Sequence, residues 1–351
     1  MLLYLHIPFC DSKCFYCAFN SYTTMFHLKE NYMKALYLEL KTSLEKYQPT
    51  IETLFIGGGT PSTILAKHFA PIFDLIQPYL LENAEITTEA NPNSATLQWQ
   101  KEMYDLGVNR ISFGVQSFDD DKLKFLGRAH NGQKAIQAVN IAYKIGFKNI
   151  NCDLIYGVAN DTLKSVKKDI DIMTSLPINH ISAYSLTLEE GTKFFDQKRV
   201  KIDDEELSVQ LFEYLETKGF KQYEISNFAL SNEARSQHNL GYWKYKEYLG
   251  IGAGAVGCIN NKRYYATSEI DQFISAPNTY EIENLSEEDI KTERILLGLR
   301  SVVGFEKSLL NEDEFERAKE LIENGQLVLK NEQFFALNYL LADEIALYVI
   351  N

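Results

Sequence analysis

Short β-branched or aromatic runs alternate with helix-patterned stretches over roughly the first half of the chain, and this restricts the fold more than any other feature. YLHI (4–7), TLFIGGG (53–59), EITTEANP (85–92), RISFGVQSF (110–118), NINCDLIYG (149–157) and HISAYSLTL (180–188) read as strands. Between Phe26 and Tyr47, Leu28, Tyr32, Ala35, Leu36 and Leu40 recur at helical spacing. A second helix is expected from about Ser94 to Leu106, ended by Gly107, a suitable left-handed cap. Strands separated by helices imply βαβ units and a parallel sheet. About six such units make an α/β barrel or partial barrel, in which chemistry collects at the C-terminal ends of the strands. A cysteine loop, GGGTPS, EANP, GVQSF and CDLIYG all fall at such ends.

The texture changes after about residue 266. NLSEEDIKTERILLGLR opens with a capping box, Ser286 and Asp289, and continues as an amphipathic helix. NEDEFERAKELIENG is a second helix closed by Gly325, and QLVLKNEQFFAL turns around Asn331 as a hairpin. The expected division is therefore 1–265 for the barrel with an extension and 266–351 for a small winged-helix-like domain.

Net charge and apolar run length exclude some partners. The chain carries a formal net charge of −13, the wrong sign for a non-specific nucleic-acid binder. No apolar run approaches the ~20 residues of a membrane span. The N-terminus lacks the basic and apolar regions of a signal peptide. The expected compartment is the cytoplasm, where thiols stay reduced.

Cys10, Cys14 and Cys17 lie within eight residues, and only Cys152 and Cys258 occur elsewhere. Zinc usually takes four ligands, for which His6 is the candidate fourth, although its strand-like run suits a structural role better. A nucleophilic cysteine needs one thiol and a base. A [4Fe–4S] cluster takes thiolates at its irons, and three from the protein leave one iron open for a ligand. Cys152 and Cys258 sit among small or apolar residues and are expected to be inert core thiols.

C-x3-C-x-aromatic-C after a first strand resembles the radical S-adenosylmethionine (SAM) enzymes. YLHIPFC, FIGGGTPS, EANP, ISFGVQSF, GRAH and CDLIYG are similar to the HemN/HemW branch over roughly residues 2 to 345. The resemblance implies a partial (β/α)6 TIM-like barrel with a small C-terminal domain, and a [4Fe–4S] cluster on Cys10, Cys14 and Cys17. It further implies that SAM meets Gly58, Gly59 and Thr60 of the glycine loop, with Tyr4 at its methionyl part and Tyr16 stacked on adenine. Glu89 would accept from the ammonium or the ribose diol, Gln116 and Asp153 from the diol, and Arg128 would hold the carboxylate. Ala183 matches a further contact near adenine.

Two branches remain within the resemblance. HemN-type coproporphyrinogen III dehydrogenases carry C-x3-C-x2-C-x-C, whereas HemW-type heme chaperones carry Phe in place of the fourth cysteine. Here Phe19 stands at that position, and only nine residues precede Cys10. H-N-x-x-Y-W, present as His238, Asn239, Tyr242 and Trp243, is associated in the HemW type with heme binding. The competing reading is a satisfied core histidine beside packing aromatics. The expected function is a HemW-type heme chaperone delivering heme to apo-heme respiratory proteins, with homodimerisation left open. The alternatives are a coproporphyrinogen III dehydrogenase and a radical SAM enzyme of unknown substrate, so enzymatic activity is left open.

Overall fold

Six parallel strands stand side by side in chain order: β1 (Leu2–Ile7), β2 (Ile51–Gly58), β3 (Leu80–Ala90), β4 (Arg110–Gln116), β5 (Asn149–Tyr156) and β6 (His180–Ser185). The structure is a computed structural model and describes residues 1–202 and 204–351. The connecting helices are α1 (Lys29–Tyr47), α2 (Ala70–Ile76), α3 (Leu97–Asp105), α4 (Asp120–Phe125), α5 (Gly132–Ile145) and α6 (Leu163–Thr174). Gly107 has φ +106 just beyond α3, as the cap requires.

Next come α7 (Glu205–Thr217), β7 (Lys221–Gln222), β8 (Asn227–Ala229), α8 (Gln237–Trp243), β9 (Tyr248–Ile251), β10 (Val256–Ile259), β11 (Lys262–Ala266), α9 (Ile270–Ser275) and β12 (Tyr280–Asn284). They extend the sheet at both ends, in the order β12-β11-β10-β9-β1 and β6-β8-β7. The parallel strands therefore form an open, partial barrel, with β9 parallel to β1 and β8 antiparallel to β6.

Alternation within the strands separates two faces. One face of the sheet, with Leu5, Ile56, Ile111, Ile150, Cys152 and Ile181, packs with α1 residues such as Leu36 and Leu40 in the main core. The other face carries polar groups on neighbouring strands in register: Glu89 opposite Ser112, Ser112 opposite Asn151, Asn151 opposite His180.

The second unit comprises α10 (Glu287–Leu299), β13 (Phe305–Glu306), α11 (Glu312–Glu323), β14 (Leu327–Lys330), β15 (Gln333–Ala336) and α12 (Ala342–Ile350). Its helix–strand–helix–hairpin order is that of a winged helix with one helix added. The Ser286–Asp289 capping box is present, and Asn331 and Glu332 make the hairpin turn at positive φ. Its core begins at Ile295. The first unit runs further than the expected boundary at 265: β12 pairs with β11, and Phe273 of α9 packs on Tyr32 with ring centroids 5.1 Å apart.

Candidate functional site at the open face of the sheet

The cysteine loop leaves β1 and is fastened along its length. Cys10 N donates to Tyr22 O (3.1 Å), Phe15 N to Leu126 O (3.1 Å), and Phe194 N to Phe15 O (3.0 Å). Cys10 Sγ lies 3.2 Å from Thr60 Oγ1, and Arg128 Nη1 donates to Cys14 Sγ at 3.2 Å. Burial pushes the Cys10 and Cys17 thiols up. Among the described residues no three His, Cys, Asp or Glu side chains are placed to hold a single metal ion. A cluster instead takes each thiolate on a different iron. His6 is committed elsewhere: its Nδ1 shares a hydrogen bond with Tyr4 OH (2.9 Å) and its Nε2 meets Asn20 O (2.9 Å).

Glu89 and Asp153 share the polar face of the sheet. Burial, then the nearby charge of Asp153, pushes the Glu89 carboxyl up to about 8. Burial raises Asp153 to about 6 against the hydrogen bonds from Asn151 and Ser182. Two carboxyls held in this way favour a cationic guest, whose charge restores the ionised form. Gly58 N donates to Glu89 Oε2 at 3.0 Å, which ties the carboxyl to the glycine loop.

Gln116 ends β4 at φ +68, a left-handed conformation for a non-glycine residue. Asp169 on α6 holds the turn, accepting from Ser117 Oγ (2.6 Å) and Phe118 N (2.8 Å). The turn leaves Gln116 Oε1 buried without a partner among the described residues. Arg128 Nε is buried and unpaired in the same sense, while its other nitrogens donate to Cys14 Sγ and to the Gly114 carbonyl. The guanidinium is thus oriented by the cysteine loop, and Nε is what it offers a carboxylate. Two orphaned polar atoms, a carboxyl pair and three thiols suit a cluster and a zwitterionic, cationic cofactor.

The glycines behave differently from expectation. A Cβ on Gly58, at φ +107, would lie 2.4 Å from the His6 ring, and one on Gly59 would lie 2.7 Å from Ile7 O. The loop needs glycine there to fold against β1, whatever it also offers a ligand. Thr60 is fixed by N–H donation to Phe9 O (2.8 Å). Tyr4 stands on the polar face, stacked on Phe55 at 6.2 Å, and Tyr16 packs beside the small cluster of Leu126, Ile155 and Leu186. Ala183 points the other way: its side chain belongs to the main core, and Ser182 faces Asp153. Arg110, Ser112, Asn151, Ser182 and Tyr184 were not anticipated. Their signal was available, because polar residues recur at every second position of strands that otherwise read as apolar.

Within H-N-x-x-Y-W, His238 and Tyr242 are in contact, with ring centroids 4.8 Å apart. His238 is 1% exposed, its ring tilted against Phe55 with centroids 5.1 Å apart. Its Nδ1 meets Thr53 Oγ1 (2.7 Å) and its Nε2 meets Tyr242 OH (3.0 Å). Burial, then the charge of Arg110, lowers its pKa to about 3. In this arrangement both nitrogens of the neutral ring carry a partner, and a heme iron at Nε2 would have to displace the Tyr242 hydroxyl. Trp243 packs with Tyr223, Leu240 and Val303 toward the second unit, and Asn239 is half-buried. Of the four, Tyr242 lines a cavity of about 880 Å³ between the cysteine loop, β9, β10 and α10. Cys258 lines it too, so this thiol is not the inert core residue expected, whereas Cys152 is.

An open parallel sheet with three free thiols at its mouth defines the class of the radical SAM proteins, and the model of the Radical SAM superfamily matches residues 4–173. The heme chaperone HemW of Bacillus subtilis (strain 168) is 36% identical over 323 residues, covering 87% of this chain and 84% of the relative. That of Escherichia coli (strain K12) is 37% identical, covering 73% and 69%. The chain belongs to the HemW family of radical SAM proteins. The solved structure of coproporphyrinogen III oxidase (HemN) from Escherichia coli, a radical SAM enzyme, superposes with a TM-score of 0.83 at 20% identity. It covers 99% of this chain and 89% of that one, a likeness of fold.

Proposed function

We propose that this chain is a heme chaperone that holds a [4Fe–4S] cluster on Cys10, Cys14 and Cys17, binds SAM on the polar face of the sheet, and passes heme to apo-heme respiratory proteins. The convergence of three free thiols with Arg128, Glu89 and Asp153 carries the cofactor part. The heme part is supported by the relatives, which are heme chaperones by name. A bound cluster supplies one-electron chemistry and an open iron position. Glu89 and Asp153 receive the cationic and hydroxyl groups of SAM, Arg128 Nε its carboxylate, and Gln116 Oε1 a donor. Loss of thiol protons accompanies metal binding, since thiolates are the ligands.

Iron and sulfide counts after anaerobic reconstitution test the cluster: Cys14→Ser should not retain it, because a hydroxyl is a poor iron ligand. Arg128→Ala should weaken SAM binding in calorimetric titration of cluster-loaded protein by ~1.5–3 kcal/mol, about ten- to a hundredfold. Near-complete iron in the first variant, or unchanged affinity in the second, contradicts the assignment.

A further inference from the structure

We propose that a small monovalent anion, a halide or a formate-sized carboxylate, sits between Arg110 and Thr87 on the polar face of the sheet, at the N-terminal ends of the strands. The assignment needs neither the SAM nor the chaperone reading. Arg110 opens β4 and Gln116 ends it, so at ~3.3 Å per residue the two lie ~20 Å apart along the strand. Arg110 is 3% exposed, yet it makes no hydrogen bond or ion pair among the described residues, and its Nε is buried without a partner. Thr87 stands directly opposite on β3, fully buried, and its hydroxyl is unpartnered as well. Residues at this end of barrel strands ordinarily serve stability. A buried charge with no partner does the reverse. A guest that only accepts hydrogen bonds satisfies both groups.

The other polar groups at this level are already spent. Asn151 Nδ2 donates to Ser112 Oγ and to Asp153 Oδ1, both at 2.8 Å. Its Oδ1 therefore accepts, from His180 Nδ1 at 2.6 Å and Ser182 Oγ at 3.2 Å. His180 Nε2 then accepts from Tyr223 OH (2.7 Å), whose oxygen takes the Ser236 N–H (3.1 Å). The Glu85 carboxylate accepts from Gln237 N (3.1 Å) and His238 N (3.0 Å) at the start of α8. These bonds fasten α8 and the segment before it across the strand ends. A water beside Arg110 would add two donors where acceptors are already short, whereas an anion adds none.

The surrounding charges permit it. Burial, then the charge of Arg110, lowers the pKa of His180 and of His238, so both rings are neutral. Glu89 keeps its proton up to about 8 and does not oppose an anion at neutral pH. Burial raises Glu224 to about 7, and the charge of Asp153 is met by hydrogen bonds from Asn151 and Ser182.

Anaerobic thermal unfolding of the full, cluster-reconstituted chain is the first test. The midpoint should rise and saturate with potassium bromide or potassium formate, compared with potassium gluconate at equal ionic strength, whose anion is too bulky for an enclosed site. Arg110→Met should fold at least as stably in gluconate, because it deletes an unpaired buried charge, and should lose the anion-specific rise. The second test needs no variant: crystals of the unaltered chain grown with bromide should show its anomalous signal beside the Arg110 guanidinium. A larger rise with bromide identifies a halide site, and a larger rise with formate a carboxylate site. Equal responses to all three salts, the same anion-specific rise in Arg110→Met, or ordered water and no bromide at Arg110 overturns the assignment.

Discussion

Glu89 and Asp153 give the site a pH dependence that can be signed. With no cation beside it Glu89 keeps its proton up to about 8, against 4.5 for an ordinary glutamate. A cation beside it stabilises the ionised form, so binding SAM expels a proton at neutral pH. Affinity for SAM should therefore rise with pH up to about 8 and then level off. The heat of binding at pH 7 should vary with the ionisation enthalpy of the buffer. Glu89→Gln should flatten both dependences and weaken binding. A buffer-independent heat in the unaltered protein would show that Glu89 does not meet the cation. Glu89 was legible because it ends a strand beside Asn91-Pro92. Its proton was not, since Asp153 lies two strands away and only the register brings the two together.

At the scale of elements, each strand end announced itself through a short polar motif, and the period-two and helical patterns placed the parallel strands and α1 well. The turns hid their reasons. GGGTP at the end of β2 looks like a loop opened for a ligand, yet Gly58 is glycine because the His6 ring fills the space of its Cβ. Gly58→Val, which the sequence alone would offer as a clean test of ligand approach, should unfold the loop. Added strain at φ +107 and the clash should cost more than the ~0.4–1 kcal/mol at stake in an unstrained glycine replacement. Thermal unfolding of the apo-protein checks this, and an unchanged midpoint would show that β1 can retreat. The surroundings of H-N-x-x-Y-W were hidden for a related reason. Thr53, which binds the His238 ring, is 185 positions away on β2, and helical spacing alone cannot show which side of α8 meets the sheet.

Across the whole molecule, the open barrel and the winged unit could be read from the order of elements, while the end of the first unit could not. β12 is short and polar, and its membership of the sheet depends on pairing with β11. Likewise the cavity is a meeting of the cysteine loop, β10 and α10, three segments with nothing in common in the sequence. A sheet that never closes also keeps two free borders. The border at β12 reads Tyr-Glu-Ile-Glu-Asn, with Ile282 51% exposed between Glu281 and Glu283. Unpaired backbone beside an apolar side chain invites a strand from another molecule, and carboxylates there repel such a strand when it comes from an identical chain. Glu281 carries that charge at the border, while Glu283 is already paired with Arg263 and Tyr265. Glu281→Val should leave the unfolding midpoint nearly unchanged at low concentration. Light scattering should nevertheless rise steeply with concentration, and added salt, by screening the like charge, should move even the unaltered chain a step in that direction.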